Sequence, residues 1–323
     1  MNKTRPLNAL LAVAATLALS ALPHTPVHAE APMAKTQAPG FYRMKLGSFE
    51  VTALSDGTVS LPMDKLLTNI KPETITSLLA RSYLKAPVET SVNGYLVNTG
   101  SKLVLIDAGA AGLFGPTLGR LMSNLKAAGY TPEQVDEIYI THMHPDHVGG
   151  LVADGKLAFP NAVVRADTRE GGFWLNQANM DKAPTEGKGF FQGAMASLNP
   201  YVAAGKFKPF DGATELVPGI RAVPAPGHTP GHTIYVAESQ GNRIVFWGDL
   251  MHVAAVQFAM PATTIQFDTD SKAAAPQRIK NFADAAKQGY FVAITHVSFP
   301  GIGQLRADGK GYDWVPANYV SAP

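Results

Sequence analysis

Three short apolar segments, far apart in the chain, each end in a residue that can bind a metal ion. The segments are residues 138–141 before His142, residues 244–248 before Asp249, and residues 291–295 before His296. Short apolar runs rich in β-branched and aromatic residues predict buried strands. Because a strand end holds its side chain rigidly yet leaves it open to a cleft, the pattern predicts a β-sheet fold with a metal-binding cleft along one sheet edge.

Two short runs of the sequence concentrate histidine. They are His142-Met143-His144-Pro145-Asp146-His147 and Gly227-His228-Thr229-Pro230-Gly231-His232. Neutral imidazoles and carboxylates bind zinc and similar divalent ions, at about 2.0 to 2.2 Å per bond. The candidate ligands are too many for one ion and divide into two sets, which are His142, His144 and His228, and Asp146, His147 and His296. Two ions about 3.5 to 4 Å apart would lower the pKa of a shared water and so generate hydroxide near neutral pH.

The N-terminus has the pattern of an export signal. Lys3 and Arg5 precede an apolar run from Leu7 to Leu22, and small residues surround a cleavage site after Ala29. We therefore expect residues 1–29 to be a signal peptide and the protein to be periplasmic or secreted. The alternative is an uncleaved membrane anchor, against which the run falls short of the ~20 residues that a span needs.

Composition restricts the partners and the kinds of ligand. Cysteine is absent, which excludes disulfides and thiolate metal ligands. Cleavage of the predicted leader would remove Lys3 and Arg5, which leaves 25 of the 27 basic residues, equal to the 25 acidic residues. With no net charge, no polyanionic partner such as nucleic acid is indicated. Apolar residues make up 46% of the chain, which suffices for one large core and does not decide between one domain and two. Residues 30–40 are small, polar and proline-bearing, and predict a flexible arm.

Strands and helices alternate along the rest of the chain. Alternating apolar and polar residues from Phe41 to Leu61 predict strands of a half-exposed sheet, and the apolar runs Tyr95–Val97 and Leu103–Ile106 predict buried strands. Apolar side chains at helical spacing predict a helix from Pro116 to Ala128, ended by Gly129.

The spacing His-x-His-x-Asp-His, followed by Gly-His-Thr-Pro-Gly-His, an aspartate and a final histidine, resembles the metallo-β-lactamase superfamily. The resemblance implies an α/β (α+β) fold, a four-layer αβ/βα sandwich, as a single domain over residues 41–323. It implies that Asp249 bridges the two ions, that Asp107 orients a ligand histidine from behind, and that His232 is structural and not a ligand. The alternatives are a degenerate, non-catalytic site and, for Asp107, a turn-capping carboxylate.

Several chemistries of that superfamily fit this sequence poorly. β-Lactamases with a cysteine ligand are excluded by composition, and those with histidines in both sites generally lack an aspartate such as Asp249. Flavodiiron enzymes carry an acid where His144 stands. Relatives that process nucleic acids commonly carry added binding domains and act inside the cell, and a single-iron persulfide dioxygenase would leave one metal site empty. What remains is hydrolysis of an ester, a lactone or a phosphotriester.

Three longer stretches resemble organophosphate hydrolases of the methyl parathion hydrolase type and their lactone-hydrolysing relatives. The stretches are Glu89–Gly100, Ala110–Thr117 and Ser298–Gly303. This resemblance implies that Phe114, Trp174 and Phe190 form walls around an aryl leaving group, for which ordinary core packing is the alternative. It also implies a homodimer.

Three positions depart from the organophosphate hydrolases in the stretches that line their pocket. Leu66 stands where they have an arginine, and His252 and Phe267 where they have leucines. His252 lies three residues after Asp249, the offset at which acyl-homoserine lactonases place a tyrosine beside the substrate carbonyl. A polar group there could bind a lactone carbonyl or assist the leaving oxygen. Phe267 would narrow the space for a tetrahedral phosphotriester.

We therefore predict a dinuclear hydrolase of aryl lactones or esters, dihydrocoumarin-like, with Asp249 and His252 as catalytic residues and organophosphate hydrolysis as a weak side activity. The alternatives are an organophosphorus triester hydrolase and, more remotely, a non-catalytic periplasmic metal-binding protein. The predicted cofactors are two divalent ions, zinc first, although these ligands also accept manganese, cobalt or iron. The predicted partner is a small molecule, with no nucleic acid and, after leader cleavage, no membrane.

Overall fold

The computed structural model describes Met1 and residues 31–321. The predicted leader lies outside the described residues, so the leader and export stay predictions, as does the homodimer. Residues 31–39 are exposed along their whole length, and the chain from Ala38 onward forms one compact unit. Within the described part of the chain, none of the helices combines the length and the apolar character that a membrane span requires.

Short strands and helices make up most of the described chain. The strands, in chain order, are β1 Phe41–Leu46, β2 Phe49–Leu61, β3 Leu67–Thr68, β4 Val88–Asn98, β5 Leu103–Ile106, β6 Glu137–Tyr139, β7 Val152–Ala153, β8 Lys156–Leu157, β9 Val163–Arg165, β10 Thr214–Val217, β11 Ile220–Pro224, β12 Thr233–Ser239, β13 Asn242–Phe246, β14 Thr264–Ile265, β15 Phe291–Ala293, β16 Ile302–Asp308 and β17 Gly311–Pro316. The α-helices are α1 Met63–Leu66, α2 Pro72–Arg81, α3 Leu121–Ala127, α4 Pro145–Val148, α5 Thr168–Trp174, α6 Gln177–Lys182, α7 Lys188–Ala203, α8 Ala254–Gln257 and α9 Ser271–Gln288.

The strands form two large mixed sheets. One sheet has six strands in the order β1-β2-β4-β5-β6-β9, and the other has seven in the order β10-β11-β12-β13-β15-β16-β17. Strands β5, β6 and β9 run parallel to one another, as do β13 and β15. The strands that the sequence predicts over Phe41–Leu61 and Leu103–Ile106 are confirmed as β1, β2 and β5.

The two sheets pack face to face, and helices cover both outer faces. In β5, Leu105 packs towards helices α3 and α7, whereas its neighbour Ile106 packs against the other sheet. In β13, Val245 packs towards Phe282 of α9, and Ile244 joins the core between the sheets. Because adjacent strand residues point to opposite faces, apolar residues at every position give a strand that is buried on both sides. The predicted four-layer αβ/βα sandwich is confirmed.

The predicted helix Pro116–Ala128 is wrong at its start, because α3 begins at Leu121. Residues 116–120 instead turn around the buried carboxylate of Asp56. This carboxylate accepts hydrogen bonds from the backbone N–H groups of Ala110, Gly119 and Leu121. Gly119 has a φ of +89°, a conformation that favours glycine and ends helical geometry. Helical spacing alone could not reveal a carboxylate that organises this loop from another part of the chain.

Strands β6, β13 and β15 end three residues before His142, Asp249 and His296, which is two residues earlier than the sequence predicts. They do not belong to one sheet, however, because β6 lies in the six-stranded sheet and β13 and β15 lie in the seven-stranded sheet. The predicted position along one sheet edge is therefore wrong. The candidate ligands meet where the ends of both sheets come together.

Candidate metal centre

Six histidines and two aspartates gather at these strand ends in the described part of the chain. They form three overlapping groups in which the ligand atoms lie within 4.8 Å of one another. The groups are His142, His144, His228 and Asp249; Asp146, His147 and His296; and Asp249, His252 and His296. The structure thus brings together all seven residues that the sequence proposes as metal ligands, with His252 beside them.

The side chains of the first histidine run point in two directions, because a helix begins within the run. His142 and His144 are two residues apart, and His144 has extended backbone at the N-terminal cap of α4. Pro145 then occupies the first position of α4, where its fixed φ favours a helical start. Asp146 and His147 lie in that helical turn and therefore point to a different part of the cleft.

The first group has the spacing of a single metal site. His228 Nε2 lies 3.2 Å from His142 Nε2, 3.1 Å from His144 Nδ1 and 3.3 Å from Asp249 Oδ2. Four ligands at tetrahedral angles, with bonds of about 2.0 to 2.1 Å, lie about 3.3 to 3.4 Å from one another. The three nitrogens and one oxygen therefore fit around one ion.

Asp249 also lies against the second group. Asp249 Oδ1 lies 3.2 Å from His147 Nε2 and 3.1 Å from His296 Nε2, and Asp146 Oδ2 lies 3.6 and 3.5 Å from the same two nitrogens. The carboxylate of Asp249 thus presents Oδ2 to His228 in the first group and Oδ1 to His147 in the second. This is the arrangement that a bridging carboxylate requires.

Neighbouring acceptors set the tautomer of three ligand histidines. The Nδ1–H groups of His147, His228 and His296 donate to Asp107 Oδ2 at 2.7 Å, to Asp268 Oδ1 at 2.9 Å and to the Ser91 carbonyl at 2.9 Å. Since carboxylates and carbonyls only accept, each Nδ1 carries a proton, and Nε2 is the ring nitrogen that faces the cluster.

Both ring nitrogens of His252 have no hydrogen-bond partner among the described residues, and neither do two buried atoms of the ligands proposed from the sequence. The two ligand atoms are Nε2 of His147 and Oδ1 of Asp249. Buried polar atoms without partners are rare because they lose their hydration without compensation. A cation between them would satisfy both, so the donor set fits two divalent ions.

The electrostatics of the cluster agree with this donor set. Burial and the neighbouring histidines hold the pKa values of His142 and His144 well below their usual range, so both rings are neutral ligands. Burial opposes charge on His147, but the carboxylates of Asp249, Asp146 and Asp107 raise its pKa well above the usual value. Burial likewise disfavours the Asp249 carboxylate, yet the surrounding histidines hold its pKa well below the usual value. Anionic oxygens at the second group favour a cation there.

Asp107 and His232 take the positions expected of supporting residues. The Asp107 carboxylate accepts hydrogen bonds from the N–H and the hydroxyl of Thr141, both at 2.8 Å, besides the one from His147. It therefore holds the end of β6 against α4. His232 lies outside the ligand groups; its Nε2 accepts the backbone N–H of Asp249 at 3.1 Å, and its Nδ1 contacts the Ala225 carbonyl at 3.2 Å.

An aromatic cavity of about 520 Å³ opens beside His144. Trp174, Phe190 and Phe267 line it, as the sequence predicts for pocket walls. The rings of Trp174 and Phe190 lie 5.2 and 4.7 Å from the His144 ring, and Phe267 lies 6.2 Å from Phe190. The cavity is lined mainly by apolar groups and reaches the first group of metal ligands.

Three predicted pocket residues, Phe114, Leu66 and His252, are not among the described residues that line this cavity. Phe114 packs on a small cluster with Val92 and Leu118, and Leu66 packs with Met63. The carbonyl of Leu66 accepts the N–H of Gln266 at 2.9 Å, which places Leu66 beside the segment that bears the Phe267 wall. Their role as walls stays a prediction.

His252 lies between the metal ligands and the pocket wall. Its ring stacks on His296 at 5.1 Å between centroids and lies 6.0 Å from Phe267, and its Nε2 is 3.0 Å from Asp249 Oδ2. Burial lowers the pKa of His252 to about 4 despite the nearby Asp249. The ring is therefore neutral and can donate one hydrogen bond and accept another.

Sequence reasoning missed Glu170, a fully buried acid in the first turn of α5. Its carboxylate accepts the backbone N–H of Met143 at 3.0 Å and that of Gly231 at 2.7 Å, together with the Thr229 hydroxyl. One carboxylate thus joins both histidine-bearing runs. Burial raises its pKa, although these hydrogen bonds oppose the shift. The local sequence around Glu170 carries no signal for this role.

We expect Glu170→Gln to loosen both metal-binding runs. The amide would place an N–H₂ group against backbone N–H donors, at a cost of about 1 to 3 kcal/mol. The expected results are a lower melting temperature and a fall in hydrolytic kcat/KM of about tenfold. Glu73→Gln, at an exposed position of α2, is the matched control. Unchanged melting temperature and activity in Glu170→Gln would contradict this role.

Comparison with known protein sequences gives a family match and curated relatives. The family model described as the metallo-beta-lactamase superfamily matches residues 87–283. An N-acyl homoserine lactonase from Bacillus sp is 28% identical over 165 residues, which are 45% of this chain and 58% of the relative. One from Bacillus cereus is 29% identical over 126 residues, which are 39% of this chain and 42% of the relative. The chain thus spans about half the length of these relatives.

Two solved structures are similar over most of the chain. The first, described as hydrolase AbOPH in the beta lactamase superfamily, has a TM-score of 0.84 and 41% identity, and the match covers 88% of this chain and 100% of that one. The second is AidC, described as a dizinc quorum-quenching lactonase in complex with the product N-hexanoyl-L-homoserine. It has a TM-score of 0.79 and 28% identity, over 87% of this chain and 99% of that one.

Proposed function

The chain belongs to the metallo-β-lactamase superfamily, and from that premise we propose that it is a dinuclear metal-dependent hydrolase that opens lactones. The observation that carries the proposal is the position of Asp249, whose two carboxylate oxygens face two separate groups of ligands. The dizinc lactonase among the similar structures supports both the pair of ions and the class of reaction.

The proposed cofactors are two divalent ions, zinc first. The first group offers three imidazole nitrogens and one carboxylate oxygen. The second offers two imidazoles and the Asp146 carboxylate, and Asp249 Oδ1 lies within 3.2 Å of both imidazoles. When bound, such ions activate water for attack and stabilise negative charge on oxygen. Burial keeps His142 and His144 neutral, and acceptors such as Asp107 orient other ligand imidazoles, so that the ligands are preorganised.

We propose aryl lactones or esters, dihydrocoumarin-like, as the substrates. The aromatic cavity beside His144 suits a flat apolar ring, which can stack on Trp174 or Phe190. Neutral His252 lies at the junction of the cavity and Asp249, where an imidazole N–H can donate to the lactone carbonyl or to the leaving oxygen. Phe267 narrows the same junction and disfavours a tetrahedral phosphotriester with two alkoxy arms.

N-acyl homoserine lactones are the second candidate substrates, and the names of the curated relatives favour them. The reaction would be the same opening of a cyclic ester. The difference lies in the cavity, which would hold an acyl chain in place of an aromatic ring.

The test compares kcat/KM for dihydrocoumarin, N-hexanoyl homoserine lactone and methyl parathion on the purified, zinc-loaded protein. We expect dihydrocoumarin to exceed methyl parathion by at least about 100-fold, or about 2.7 kcal/mol in transition-state stabilisation. Chelation should abolish all activity and added zinc should restore it. A preference for methyl parathion would contradict the lactone proposal and favour the organophosphorus alternative. Binding of two ions with no hydrolysis of any substrate would favour the non-catalytic alternative.

A further inference from the structure

A second buried carboxylate, Asp268, lies behind the first group of metal ligands. Its side chain is fully buried, and its Oδ1 accepts the Nδ1–H of His228 at 2.9 Å. The backbone reinforces this contact, because the N–H groups of Thr269 and Asp270 donate to the carbonyls of His228 and Gly227, both at 2.9 Å. Residues 269–270, which directly follow Asp268, are therefore hydrogen-bonded to the loop that contains His228.

Arg278 of α9 connects this carboxylate to the loop of the bridging aspartate. Its side chain is 1% exposed, and Nη2 lies 4.0 Å from Asp268 Oδ2. Its Nε donates to the Leu250 carbonyl at 2.6 Å, and its Nη1 donates to the Thr263 carbonyl. Leu250 directly follows Asp249 in the chain. A buried guanidinium is costly unless its donors find partners, so these contacts hold the side chain in one geometry.

The same carboxylate also reaches the pocket wall. Asp268 directly follows Phe267, and its Oδ2 accepts the N–H of Ile265 at 3.2 Å. This hydrogen bond closes a tight turn around Phe267. The position of the Phe267 ring is thereby tied to the carboxylate that contacts His228.

We propose that Asp268 is a positioning residue that orients His228 for its ion and links the cavity wall to the metal centre. The proton on His228 Nδ1 is directed at Asp268, so the Nε2 lone pair points towards His142 and His144. A carboxylate behind an imidazole also raises the basicity of the ligand. Asp107 has the same relation to His147 in the second group. The inference rests on the dinuclear centre of the proposed function but not on its substrate.

Asp268→Asn in the full chain tests this inference, because the change keeps the shape and removes the charge. Zinc affinities are measured by competition with a chromophoric chelator, without substrate. We expect one of the two zinc affinities to fall about 10- to 100-fold and the other to stay within about threefold. Anomalous scattering at the zinc edge, in crystals of the variant, should locate the weakened ion at His228. Asp107→Asn should instead weaken the ion at His147.

Asp270→Asn is the matched control, because that side chain contacts only the first N–H groups of α9 among the described residues. Both affinities should be unchanged in it. Equal weakening of both ions in Asp268→Asn, or a lower melting temperature of the metal-free protein with unchanged affinities, would overturn the inference. If the site-selective loss is found in a protein that opens no lactone, the inference stands and the proposed substrate fails. If the unaltered protein does not bind two zinc ions, both fail.

Discussion

Asp249→Asn is expected to lower kcat/KM for dihydrocoumarin by at least about 1,000-fold, or about 4 kcal/mol of transition-state stabilisation. The Asp249 carboxylate lies within 3.0 to 3.6 Å of the Nε2 atoms of five histidines, which are His142, His147, His228, His252 and His296. An amide has one acceptor oxygen and one N–H₂ group, so it cannot offer an anionic oxygen to each of two cations. Zinc content should fall from two ions per chain towards one.

Asp211→Asn, at an exposed position, is the matched control for the loss of one carboxylate. Its kcat/KM and zinc content should equal those of the unaltered protein. Steady-state kinetics and metal analysis on the same preparations measure both effects. If Asp249→Asn retained two zinc ions and more than a tenth of the activity, the bridging role would be wrong. Such a result would place the second ion on Asp146, His147 and His296 alone.

The double change His252→Leu with Phe267→Leu is expected to move the substrate preference from lactone towards phosphotriester. Loss of the imidazole N–H beside Asp249 removes a donor from the position of the lactone carbonyl, a change that costs about 100-fold in rate at sites of this type. Leucine at 267 opens the space between Phe190 and His252, which lie 6.2 and 6.0 Å from the Phe267 ring. We expect kcat/KM to fall for dihydrocoumarin and to rise for methyl parathion.

The single variants separate the two effects. His252→Leu alone should account for most of the lactone loss, and Phe267→Leu alone for most of the phosphotriester gain. Phe207→Leu is the control for loss of an aromatic ring, since Phe207 packs on the helix-covered core and does not line the cavity. An equal fall for both substrates in the double variant, with unchanged zinc content, would show that the two positions do not set selectivity.

Much of the metal centre is predictable from the sequence because its chemistry depends on residue type at short spacing. Six of the seven proposed ligands lie in the run His142–His147 or within three residues of the end of an apolar strand. The strands restrict the backbone that leads to these ligands. Pro145 is the first residue of α4, and its fixed φ favours the start of a helix. The pocket is less predictable, because Trp174 and Phe190 line it whereas Phe114 and Leu66 pack elsewhere.

The sequence by itself predicted which side chains gather at the candidate metal centre and that short strands precede several of them, since both follow from local periodicity and ligand chemistry. Only the tertiary structure decided that the strands belong to two sheets, and that Glu170 and Asp268 support the ligand loops. Each of these acids is one of 25 in the chain and acts on residues 27 to 61 positions away. Their partners are set by how buried segments pack, because a hydrogen bond depends on distance and orientation in space and leaves no local pattern in the chain.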